Sequence, residues 1–400
     1  MSTATGTVSR WTRGFVAAGV GWLVCWQAAV LVGAGRSVAV VLGLYGFVLH
    51  TVFGKGYALV PAYFDRSLSF PRAPALHLPL AVAGTAALAA DAAGLVPGRW
   101  GTAGGLLWAL GCAVFVGSLG WSLRGNLTGR ETATAKAKAD RRRVDRFANV
   151  FVPVALAYLV VGTALPNLGA VGLPTGPLPA VGPAPSHLLA AGTAALLLFA
   201  VGFRLLPRFL VVAPRRPLVA VVLPAGALGP LLLAATFGGG RWFRIGAALQ
   251  AVALVGFAVA YVDMFVRSDR RRVGLYGLLV AAAAAVGVAA LGVHMATAGF
   301  DPGVADAHAR LALLGFLGVA VVAVSYQFYP PAVASLPGVD DRTAGAALAL
   351  LGVGVGLEAG GLLADSGSVV VAGRTAALVG ALGHAAVVLA VFRGRQNRGR

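Results

Sequence analysis

DAHARLALLGFLGVAVVAVSYQFYPP, residues Asp306 to Pro331, decides how this chain is read. It contains an apolar run long enough to cross a bilayer, carries His308 and Arg310 near its start, and ends in Tyr-x-x-x-Pro-Pro. Two earlier stretches repeat its punctuation. Gly315 lies fifteen residues before Pro330, Gly192 fifteen before Pro207 and Gly46 fifteen before Pro61, with an aromatic residue four before each proline: Tyr326, Phe203 and Tyr57. At 3.6 residues per turn, a glycine and an aromatic eleven apart share one helix face. A bare glycine on that face lets a neighbouring helix or a flat ligand approach the backbone. Agreement of three marks in three copies predicts an internal threefold repeat.

Composition sets the class. The chain is 58% hydrophobic and 11% charged, with a mean hydropathy of +0.85 over 400 residues, which predicts a polytopic membrane protein and excludes a water-soluble packing. Cys25 and Cys112 both fall in apolar runs, so neither a disulfide framework nor a cysteine-based metal site is expected. Apolar segments recur at 14–34, 37–60, 75–96, 101–124, 147–170, 184–207, 215–237, 241–266, 271–295, 304–330, 341–364 and 368–392. Each is near the ~20 residues that a spanning helix needs. The expected fold is therefore all-α, with twelve transmembrane helices in three pseudo-symmetric four-helix arcs, a single membrane domain over 1–400 with repeats 14–124, 147–266 and 271–393. The first segment exceeds the apolar core of a signal peptide and is read as a retained anchor.

The formal charge of +19 is an orientation signal. With the N-terminus inside, the loops after even-numbered segments carry Arg66 and Arg72, the cluster Arg141 to Arg146, Arg215 and Arg216, Arg270 to Arg272, and Arg342. Outward loops hold fewer, chiefly Arg36, Arg99, Arg241 and Arg244. The positive-inside rule then puts both termini in the cytoplasm, in a multi-pass protein of the cell membrane. The lipid bilayer is the expected partner, and nucleic acid is not. The inward connection Arg124 to Arg146 reads as a short interfacial helix or a flexible linker.

Twelve helices in three arcs, with Ala307-His308-Ala309-Arg310, Gly315 and Tyr329-Pro330 on the tenth, resemble the catalytic subunit I of the haem-copper oxidase superfamily, which includes the nitric-oxide reductases. The arc pattern covers nearly the whole chain, and the sharp motif is one helix. The resemblance implies a non-covalent b-type haem, an oxidoreductase or gas-binding role, and an electron-donor protein or partner subunit. His308 matches the family histidine that ligates the reaction-centre haem, whereas Arg310 stands at the second histidine position. The family's copper site needs a His-His pair on the seventh helix, which here runs from Arg216 to Phe237 without histidine, so copper is not expected.

The residues themselves leave alternatives open. His308 is either a haem ligand with Gly315 beneath it or an interfacial histidine near Asp306. His187 opens the sixth segment and His294 ends the ninth at the same depth, so His187, His294 and His308 form the most natural metal cluster; His294 alone reads as a helix-terminal residue complementing the dipole. His50 lies mid-membrane, as a proton relay, a haem ligand or a polar clamp, with Lys55 one turn on. Asp91 and Glu358 occupy matching late positions and, with His50, are the proton-transfer candidates; Arg204, Arg374, Asp263 and Gln327 are their possible partners. Arg310 either pairs with Asp306, four residues back, or grips a haem propionate. A cofactor-free relative or a transporter of protons or small solutes is the competing functional class.

Overall fold

The computed structural model describes residues 3–133, 139–334 and 337–397. Among these there is no strand, and twelve helices are long and apolar enough to cross a membrane. They are α1 (Gly6–Leu31), α2 (Arg36–Tyr63), α3 (Ala73–Ala92), α4 (Arg99–Leu123), α5 (Arg142–Ala170), α6 (Pro183–Leu210), α7 (Arg216–Ala235), α8 (Gly240–Val266), α9 (Val273–Ala298), α10 (Pro302–Phe328), α11 (Asp341–Leu363) and α12 (Gly367–Gly394). Every expected segment is found. The main boundary differences are at polar starts: α1 and α5 begin earlier than the apolar runs because a helix continues through polar residues while its backbone bonds are met.

Three helices are inner and nine are outer. In α2, α6 and α10, 67%, 78% and 67% of the most apolar stretch is buried, against 28–56% in the others, so these three cannot be lipid-facing like the rest. They touch one another. Around them the outer helices close a ring: α1 packs on α3, α3 on α4, α4 on α5, α5 on α7, α7 on α8, α8 on α9, α9 on α11, α11 on α12, and α12 returns to α1.

Each inner helix contains a π-helical segment, Val41–Leu49, Leu188–Ala195 and Leu311–Gly318, ending twelve residues before Pro61, Pro207 and Pro330 respectively. The mutual contacts of the inner helices run through these widened turns. Side chains exploit the widening: His50 Nδ1 bonds the carbonyl of Tyr45 at 2.8 Å and Thr193 Oγ1 donates to that of Leu188 at 3.2 Å, both five residues back. The repeat glycines lie inside the π segments, and their bare faces are filled by outer helices. A Cβ at Gly46 would meet Trp22 of α1 at 2.8 Å, one at Gly192 the Tyr158 ring of α5 at 2.6 Å, and one at Gly315 Ala284 of α9 at 2.9 Å. Gly315, expected as a surface for a porphyrin, instead accommodates a helix.

The connection after α4 is neither an interfacial helix nor a free linker over its described part. Thr132 Oγ1 donates to the Tyr63 carbonyl at 3.1 Å, the Ala133 amide to Asp65 Oδ2 at 3.1 Å, and Arg66 pairs with Glu131 at 2.6 Å, which ties the loop to the end of α2. Residues 134–138 of this connection, and 398–400 of the basic tail, lie outside the described residues.

Candidate functional site

Two of the expected ligand histidines meet. His187 closes the first turn of α6, which starts on Pro183, and its Nδ1 lies 2.9 Å from the Pro183 carbonyl. His308 lies in the first turns of α10, a helix capped by Asp301, whose carboxylate accepts the Val304 amide at 2.8 Å. Its Nδ1 is 3.1 Å from the carbonyl of Val288 on α9. The two rings are 6.3 Å apart between centroids and only 13° from parallel. A carbonyl can only accept, so Nδ1 carries the hydrogen in both rings and each neutral imidazole keeps its lone pair on Nε2. Such anchoring of the distal nitrogen is the usual support of a metal-binding histidine. Phe237 stands edge-on to His187 at 4.9 Å, and Gly292 leaves room for His308, whose Cε1 would be 3.2 Å from a Cβ there.

The third member of the expected cluster is elsewhere. His294 is exposed on α9, and among the described residues no three His, Cys, Asp or Glu side chains converge as a metal-binding group. The trio His187, His294 and His308 is therefore corrected to a pair: equal membrane depth does not bring a helix face round to its neighbours.

Two residues on from His308, Arg310 turns inward. Its Nε binds Glu358 Oε2 at 2.7 Å, its Nη2 donates to Gln27 Oε1 at 2.8 Å, and the guanidinium lies 4.8 Å from the Trp26 ring centre. Arg374 takes the other Glu358 oxygen at 2.9 Å. The expected Arg310–Asp306 pair does not form, because Asp306 holds Arg36 of α2 at 2.6 Å. Arg310 Nη1 is buried without a hydrogen-bond partner.

Among the described residues the proton-transfer candidates share no hydrogen-bond or ion-pair partner. Glu358 is fully buried with both oxygens committed to guanidinium groups. Asp91 lies against Gly101 at the α3–α4 connection. His50 is fully buried among Phe15, Trp22 and Trp108, and its Nε2 has no hydrogen-bond partner. Lys55 does not join His50: its Nζ donates to Tyr329 Oη at 3.0 Å and lies 3.9 Å from the Phe328 ring centre.

Several polar residues gained their roles only in three dimensions. Arg204, expected as a partner for Asp91 or Glu358, pairs with Asp145 of α5 at 3.4 Å and donates to the Tyr63 carbonyl at 2.7 Å and to Asn149. Asp263 instead holds Arg215 and Arg267. His77 and His384, given no role from sequence, each bond a repeat tyrosine, Tyr57 at 3.1 Å and Tyr326 at 3.0 Å. The signal was present in the sequence as the aromatic four before each proline, but the histidine partner lies on another helix. Comparison with known proteins finds no matching family model and no matching curated protein.

Proposed function

We propose that the chain is a haem-binding redox or gas-binding protein of the cell membrane, related in architecture to haem-copper oxidase subunit I, with both termini cytoplasmic and no copper centre. In this reading the helices form three four-helix arcs, 14–124, 147–266 and 271–393. The recurrence of one contact scheme supports the arcs: each repeat contributes one inner helix with a π segment and three helices to the outer ring.

The observation that carries the functional reading is the His187–His308 pair. The two rings stand 6.3 Å apart between centres and stack within 13° of parallel, so two imidazoles from separate helices, either of which could hold an iron ion through Nε2, are brought to one place. A single b-type haem bound there would supply one-electron chemistry at iron. The chain's own contribution is to orient both imidazoles through the Pro183 and Val288 carbonyls and to keep both Nε2 lone pairs available. Arg310 retains one unpaired donor, Nη1, suited to a propionate.

A reduced-minus-oxidised visible spectrum of detergent-purified protein, with haem extraction and metal analysis on the same sample, tests this. Sharp α bands with one haem per chain are expected, lost in His308→Ala and in His187→Ala and retained in His294→Ala. Absence of chromophore and metal from protein expressed with haem supply intact would sink the redox reading and leave the cofactor-free or transport class.

A further inference from the structure

Two cavities abut at the arginine-rich end of the bundle. The first, about 120 Å³, lies between the three inner helices and is walled by apolar side chains such as Leu59, Val201, Leu205 and Ala320. The second, about 390 Å³, opens beside it between α2, α5 and α6 and is lined by Arg141, Arg204 and Arg208 together with Asp65 and Asp145. Leu59 and Leu205 belong to both walls, so the apolar space runs up to the charged one.

The described lining of the charged cavity carries more positive than negative groups. Asp145 is engaged by Arg204 at 3.4 Å and Arg208 at 3.2 Å, and Asp65 accepts the Ala133 amide, so among the described lining residues three guanidinium groups face two carboxylates. The start of α5 at Arg142 adds the positive end of a helix dipole. Excess positive charge held at the ends of apolar helices suits a phosphate. A phosphodiester carries the single negative charge that neutralises the site, and an acyl chain matches the adjoining apolar walls.

We propose that the paired cavities bind one anionic phospholipid, its phosphate among Arg141, Arg204 and Arg208 and an acyl chain reaching between α2, α6 and α10. The assignment does not depend on haem. It implies a lipid that remains with the protein in detergent.

Native mass spectrometry and phosphorus analysis of the full chain, purified in detergent and then exchanged against phosphatidylglycerol, phosphatidylcholine or inorganic phosphate, provide the test. Wild-type protein is expected to retain about one phosphatidylglycerol per chain, in preference to phosphatidylcholine and undisplaced by inorganic phosphate. Replacing both Arg141 and Arg208 with Gln should lower the binding constant for phosphatidylglycerol by about fivefold per arginine and so its retention, and Ala320→Leu, which fills the apolar cavity, should lower retention with the headgroup site intact. Arg270→Gln, an arginine outside the cavity, should retain the lipid. Equal occupancy in all four proteins, or no bound lipid in the wild type, overturns the proposal. Binding of inorganic phosphate in place of lipid also overturns it, by assigning the arginines to a soluble anion. The wild-type exchange series decides the matter even where a variant fails to fold.

Discussion

Glu358 anchors a buried charge cluster. Its side chain is fully enclosed, and its two oxygens separately hold Arg310, which is almost as buried, and Arg374, which is a quarter exposed. Removing one member of a buried ion pair leaves an uncompensated charge, at a cost of about 3–5 kcal/mol. Glu358→Leu strands two guanidinium groups and should destabilise by that amount. Arg374→Leu leaves the Arg310 bridge in place and removes a cation already in contact with solvent, so a loss of about 1 kcal/mol is expected. Thermal unfolding in detergent compares them; equal losses would mean that Arg310 does not depend on Glu358. The same network narrows the role of Glu358, since a carboxylate saturated by two guanidinium groups is poorly placed to pass protons. Sequence revealed the charged residues inside apolar segments and offered Arg374 among the possible partners of Glu358, a pair the structure contains, but it did not offer Arg310. Arg310 had Asp306 available one turn away, and the alternative partner lies forty-eight residues along the chain.

At the level of elements, small residues set how closely the helices approach. The hairpins α3–α4, α7–α8 and α11–α12 each interlock through glycine faces. A Cβ at Gly84 would be 2.7 Å from the Trp108 amide nitrogen, one at Gly246 2.9 Å from that of Leu233, and one at Gly354 2.6 Å from that of Ala377. Backbone cannot yield as a flexible side chain can. Gly354→Val should therefore separate α11 from α12 and cost about 1–3 kcal/mol. Gly356, two residues on, faces open space, and Gly356→Ala should be neutral or stabilising by up to about 1 kcal/mol from helix propensity. Unfolding midpoints of the two variants test the contrast, and a destabilising Gly356→Ala would show that this face has a partner. The π segments belong to this scale too. They were invisible in the sequence because a turn widened by one residue leaves no compositional mark, although the glycines they contain were legible as a repeat.

For the whole molecule, the arginine distribution makes a topological prediction. In a variant with Cys25 and Cys112 replaced, Gly176→Cys in the α5–α6 connection should react with a membrane-impermeant thiol reagent in intact cells. Asp269→Cys in the α8–α9 connection should react only after permeabilisation. The reverse pattern would invert the orientation. Hydropathy by itself determined the number of helices and their order, because a bilayer requires each crossing to satisfy its backbone internally over a fixed thickness. The spacing of Gly46, Gly192 and Gly315 from their prolines also singled out α2, α6 and α10 before their position was known. Only the tertiary structure decided that these three are the inner helices, that their glycine faces receive α1, α5 and α9, and that His308 meets His187 while His294 faces outward. The physical reason is rotational. Membrane depth follows from position along a segment, but which residues face one another depends on how each helix is turned, and that is set by packing among distant parts of the chain.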